Sequence, residues 1–182
     1  PPDLCRRQRQ MCIRDSWNSG IETNILAVVG KIILSIERKF RTPRAKSYFA
    51  RKLTFDTWGN KISNKRTNFD WLSNDTFQVD KYIQDKLCGF DISLQSWLEV
   101  AEAVFYSSRN LSMIPSNFPI CLVGGEQDPC TNYGKDMRKL AARLKRMGHV
   151  NFSHETIRGC RHETLNEINR EHYVGIFLDW LQ

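Results

Sequence analysis

The sequence predicts an α/β fold on a parallel sheet, and three features of its last third carry that expectation. Pro119-Ile120-Cys121-Leu122-Val123-Gly124 is a short apolar run that ends in the turn Gly125-Glu126-Gln127-Asp128-Pro129. Asn151-Phe152-Ser153-His154-Glu155-Thr156-Ile157 is a second strand-like run, followed by Gly159-Cys160-Arg161-His162-Glu163. Between them Tyr133, Met137, Leu140, Leu144 and Met147 form an apolar stripe at helical period, which Gly148 stops. Strand, loop, helix, strand, loop is the order of a parallel βαβ crossover.

That order places chemistry. Neighbouring parallel strands lie roughly 4.8 Å apart, and both loops leave from strand carboxyl ends, where open α/β sheets carry their sites. Neighbouring strands therefore bring Asp128 beside His162. A carboxylate next to an imidazole fixes its tautomer and stabilises the imidazolium formed when it takes a proton. These are two members of a Ser-His-Asp relay, in the Asp-then-His order of α/β-hydrolases.

With both loops quoted, a resemblance becomes specific. Gly124-Gly125-Glu126-Gln127-Asp128-Pro129 resembles the acid loop of the lysophospholipase, monoacylglycerol lipase and serine aminopeptidase-like branch of the α/β-hydrolases. Gly159-Cys160-Arg161-His162-Glu163, with Leu165-Asn166-Glu167-Ile168-Asn169-Arg170 behind it, resembles the histidine loop of the same branch. Trp180-Leu181 closes the last helix as in that family. The resemblance implies the C-terminal part of an α/β-hydrolase sheet at 116–182 and a helical cap at 17–115. It also implies Asp128 as orienting acid and His162 as base, with no metal or organic cofactor.

Taken in order, residues 1–16 obey neither helical nor strand period, and 7–16 look like translated sequencing-adaptor read-through. They are set outside the fold. Ile25, Val28, Val29, Ile32, Ile33 and Ile36 mark an amphipathic helix within 21–40, interrupted at modest cost by Gly30 and ended by Pro43. Another short helix or turn begins at Ala45-Lys46-Ser47. The stretch 67–75, Thr67-Asn68-Phe69-Asp70-Trp71-Leu72-Ser73-Asn74-Asp75, resembles a cap motif of the same branch, as do 79–85 and 86–90. Lys86 stands where that branch usually has proline. Phe69, Trp71 and Phe90 are candidates to line an acyl pocket, against the plainer reading as ordinary core. Leu94, Trp97, Leu98, Ala101, Val104 and Phe105 mark a second periodic helix over 93–106.

Composition narrows the classes. Hydrophobic residues at 41% and aromatics at 11% describe a globular chain. The longest apolar runs, such as Ile32-Ile33-Leu34, are too short to span a membrane. The net charge of +7 invites a nucleic-acid reading. Much of the excess, however, lies at Lys135, Arg138, Lys139, Arg143, Lys145 and Arg146, on or flanking the polar face of the crossover helix, with no aromatic interleaving. No nucleic-acid partner is expected. The 6 cysteines hold no C-x-x-C pair and no regular framework, which suits a reducing, cytoplasmic setting. Cys130, Cys160 and His162 match no zinc pattern, and a Cys130–Cys160 disulfide is a minor alternative.

No serine here sits in G-x-S-x-G, the tight elbow that carries the nucleophile; Ser19 precedes Gly20 but follows Asn18. The expectation is a C-terminal portion of a hydrolase whose nucleophile lies before Trp17, inactive alone, with helix faces that missing strands would cover. The expected substrate is a small-molecule ester or lipid, met through at most a transient contact of the cap with a membrane surface. Peptidase or amidase chemistry on the same scaffold, and a non-catalytic binding module, are the rival readings. His149 reads as structural, His154 as facing a neighbouring side chain, and His172 as lying on the last helix's polar face.

Overall fold

The computed structural model describes residues 14–17, 23 and 25–180. A strand β1 (Arg14–Trp17) precedes a helical layer, and a strand–helix–strand–helix unit follows it. The helical layer holds α1 (Ile25–Phe40), α2 (Tyr48–Arg51), a π-helical turn (Lys52–Asp56), α3 (Thr57–Asn60), α4 (Thr76–Gln84) and α5 (Leu94–Arg109). The last unit comprises β2 (Ile120–Gly125), α6 (Lys135–Arg146), β3 (Phe152–Ile157) and α7 (Arg170–Trp180).

The strands form a parallel 3-stranded sheet in the order β1-β2-β3. In its register Ile120 faces Phe152 and Gly125 faces Ile157. Every residue of β2 is buried, because a strand in this position has helices on both faces. Alternation divides its side chains. Ile120 and Leu122 pack with Met137, Leu140 and Leu144 of α6 and with Leu111. Cys121 and Val123 turn the other way, against Ile157, Cys160 and Tyr173 of α7. The expected crossover is therefore present, with neighbouring strands and a helix whose buried stripe is Met137, Leu140 and Leu144. Gly148, at φ +82, takes the left-handed turn that ends this helix.

The helix starts follow local chemistry. The Ser93 hydroxyl accepts from the Ser96 amide at 3.1 Å, and Asp75 accepts from the Phe77 amide at 3.0 Å. Each satisfies an amide left unpaired at a helix N-terminus.

Two features call for a physical account. β1 crosses the boundary set after Ser16, since Arg14, Asp15 and Ser16 pair with Ile120, Cys121 and Leu122. Parallel pairing uses amides and carbonyls that nearly every residue carries, so a stretch without strand periodicity can still pair. In α1 the periodicity finds the helix but not its covered side. Leu34 is its buried residue, packed near Ala50 and Leu94, while Ile25, Ile32 and Ile36 are 78%, 53% and 52% exposed. Apolar residues occupy most of this helix's circumference, and α2 and α5 reach one side of it.

His154 lies on β3 opposite Leu122, with Nε2 3.5 Å from the Thr156 hydroxyl. Burial, and then Arg138, lower its pKa from the ordinary 6.5. The unfolded chain therefore protonates first as pH falls. Stability is full above pH 6.5 and declines as pH drops toward the folded value. His154→Gln is expected to flatten this decline in urea midpoints measured across the acid limb. Leu144→Ala, in the α6 core, is expected to cost about 2–5 kcal/mol in the same assay.

Candidate active site

The site grows from the ends of β2 and β3. Beyond the last strand residues the ladder continues: the Glu126 amide donates to the Ile157 carbonyl at 2.9 Å, and the Gln127 amide to the Cys160 carbonyl at 2.8 Å. This contact leaves no room for a side chain at position 125. A Cβ there would lie 2.1 Å from the Arg161 carbonyl oxygen and 2.5 Å from that of Cys160. Glycine is what lets the two loops touch.

Asp128 and His162 then meet. Asp128 Oδ2 accepts from His162 Nδ1 at 3.0 Å. The same oxygen accepts from the Thr131 hydroxyl at 2.9 Å, and Oδ1 accepts from the Cys130 amide at 2.8 Å. The Asp128 side chain is 0% exposed and that of His162 is 23% exposed. A buried carboxylate with fixed donors thus orients a ring that reaches the surface. With Nδ1 committed as a donor, Nε2 is the nitrogen open to proton transfer.

The histidine loop is clamped to the helical layer. The His162 amide donates to the Trp71 carbonyl at 3.3 Å and the Glu163 amide to the Leu72 carbonyl at 2.7 Å. Arg161 Nη1 donates to the carbonyls of Asp70 and Ser73, at 2.6 and 3.1 Å. Glu167 is buried and accepts from the Arg161 amide at 2.7 Å and the Asn74 amide at 3.0 Å. The Ser73 hydroxyl donates to the Asn166 carbonyl at 2.9 Å. Asp70 itself is held by the Thr67 hydroxyl and the Arg66 amide. Burial works against its charge, yet these bonds outweigh it and keep its carboxyl below the usual value.

Of the aromatics nominated for a pocket, Trp71 alone reaches the site. Its ring lies 5.0 Å from that of His162 and is 3% exposed. Phe69 packs on Tyr82 instead, at 5.2 Å, and Phe90 is 59% exposed. The partners of Trp71 are Trp58 at 5.0 Å and Phe55 at 6.0 Å, with Trp97 at 5.5 Å from Phe55. Phe55 and Trp58 stand one helical turn apart, a spacing the sequence shows, but nothing local ties them to His162. Thr131, Arg161 and Glu167 likewise escape sequence reading as supports of the site. Glu126 is exposed, yet it accepts from the Gly159 amide at 3.1 Å and so ties the two loops.

The cysteine readings resolve apart. Cys130 and Cys160 are free thiols. Cys160 turns into the core beside Tyr173, and burial raises its pKa. Cys130 stays by the acid loop, where burial and then the Asp128 charge push its thiol up strongly. Asp128, Cys130 and His162 each offer a ligand atom, all within 4.8 Å of one another. Cys160 is not part of this cluster. His149 is buried, and His172 is exposed on α7.

Substitution should separate close approach from simple packing. Gly124→Ala would meet the flexible Met137 side chain, at 3.1 Å, and is expected to cost about 1–2 kcal/mol. Gly125→Ala would meet backbone oxygens and is expected to cost upward of about 4 kcal/mol, read from denaturant midpoints of the two variants.

The family described as Serine aminopeptidase, S33, matches residues 24–169. No curated protein matches significantly. Among solved structures, a thermostable carboxyl esterase from Bacillus coagulans in complex with glycerol is 18% identical with a TM-score of 0.79, over 92% of this chain and 54% of that one. A monoacylglycerol lipase from Paleococcus ferrophilus is 17% identical with a TM-score of 0.59, over 97% and 63%. A soluble variant of monoglyceride lipase from Saccharomyces cerevisiae is 13% identical with a TM-score of 0.62, over 96% and 57%. In each case this chain spans less than two thirds of the other's length, and at such identities the likeness is one of fold. The chain belongs to the serine aminopeptidase (S33) family and is a member of the α/β-hydrolase superfamily.

Proposed function

We propose that this chain supplies the acid and the base of a serine hydrolase acting on carboxylic esters of the lysophospholipase or monoacylglycerol lipase type. The observation that carries the proposal is the 3.0 Å bond between Asp128 and His162, made by a fully buried carboxylate and a partly exposed ring. In this reading a serine outside residues 1–182 attacks the ester carbonyl. His162 takes its proton at Nε2 and returns it to the departing alcohol, while Asp128 holds the ring and stabilises the imidazolium.

The helical layer acts as the cap. Trp71, backed by Phe55 and Trp58, forms an apolar wall beside His162 that suits an acyl chain and keeps water from the reacting centre. The exposed apolar stripe of α1, with Lys31 and Lys39 in the same helix, suits transient contact with a lipid surface. The family's own description supports a second reading, in which the same relay cleaves an amide at a peptide N-terminus.

The chain 1–182 is expected to show no turnover of p-nitrophenyl butyrate. A chain extended upstream to include a G-x-S-x-G serine is expected to hydrolyse it. In that longer chain His162→Ala should lower kcat about a millionfold, and Asp128→Asn about ten-thousandfold. Turnover that survives His162→Ala would overturn the proposal.

A further inference from the structure

The Asp128–His162 pair has a third neighbour that proton relay does not use. The thiol of Cys130 offers its sulfur within 4.8 Å of both the Asp128 and the His162 ligand atoms. We propose that Asp128, Cys130 and His162 form a binding site for a thiophilic divalent cation such as Zn2+, and that the bound ion switches the relay off.

The donor set fits the ion. Thiolate, imidazole and carboxylate are the ligands zinc takes, and three of them with one open position is its usual arrangement in accessible sites. Asp128 Oδ2 and His162 Nδ1 stand 3.0 Å apart, a separation that two ligands of one four-coordinate ion also have. The carboxylate is held in place by the Cys130 amide and the Thr131 hydroxyl, the kind of outer support that orients metal ligands.

Binding balances without any redox change. The Cys130 S–H bond breaks, its proton passes to buffer, and a sulfur–metal bond forms. Neutral His162 moves its proton from Nδ1 to Nε2, so that Nδ1 presents a lone pair to the ion. A ring that carries hydrogen on Nε2 cannot accept the nucleophile's proton there. This inhibitory consequence rests on the relay reading above; the binding itself does not.

Titration of the full chain with Co2+ under reducing conditions is the test. The expected result is a near-ultraviolet thiolate-to-cobalt absorption with the visible bands of a four-coordinate ion, both displaced by Zn2+. Cys130→Ser should remove the ultraviolet band and weaken Zn2+ at least about tenfold, while Cys88→Ser leaves both intact. His162→Gln keeps the thiol and should weaken Zn2+ to a similar degree, which covers the case of a Cys130 variant that does not fold. Absence of the band in the native chain, or its persistence in Cys130→Ser, overturns the inference. An upstream-extended chain that hydrolyses esters yet binds no ion would sink this inference alone. One that binds the ion and hydrolyses nothing would sink the relay reading alone.

Discussion

The site depends on one close approach, the contact of the β2 and β3 loops at Gly125. Two parallel strands end side by side, and their ladder continues through the amides of Glu126 and Gln127 into the loop that carries His162. The approach is so tight that backbone oxygens occupy the space a Cβ would need. Everything chemical follows from it. Asp128 and His162 lie at fixed offsets beyond that contact, so their hydrogen bond is the outcome of sheet geometry, with no need for a long induced movement of either side chain.

Buried charge imposes the next constraint. A carboxylate withdrawn from water is tolerated only where donors replace its hydration. Asp128 has three such donors, from His162, Thr131 and the Cys130 amide. Glu167 faces the same demand and meets it with the Arg161 and Asn74 amides. One carboxylate aims the imidazole, and the other pins the loop that bears it to the 70–74 segment. The helical layer is thereby fastened to the sheet through polar bonds at the site itself, with Trp71 providing the apolar side of the same junction. Electrostatic interactions are strengthened where such a wall excludes water.

Legibility varied with the range of the interaction concerned. The crossover helix was readable because its stripe, Met137, Leu140 and Leu144, faces a strand adjacent in the chain order, and one packing surface sets one periodicity. The first helix was readable as a helix but not as a packed surface, since its apolar residues surround most of the axis and coverage depends on where α2 and α5 fall. β1 was not readable at all, because its pairing with β2 is a backbone matter that leaves no pattern in Arg14-Asp15-Ser16-Trp17. Among the aromatics, Phe69, Trp71 and Phe90 looked alike in sequence and ended in three different settings: against Tyr82, against His162, and in solvent.

The sequence by itself determined the βαβ unit and the order of carboxylate and imidazole along it, since strand period, helix period and loop residues are local properties of 119–163. Only the tertiary structure decided which groups surround that pair. Cys130 stands beside His162 while Cys160 turns into the core, because alternation and loop geometry, not spacing along the chain, aim each thiol. Glu167 reaches Asn74 across 93 positions, and Arg161 reaches the Asp70 carbonyl across 91. Contacts of that range are made by folding of the whole chain, and no short pattern records them.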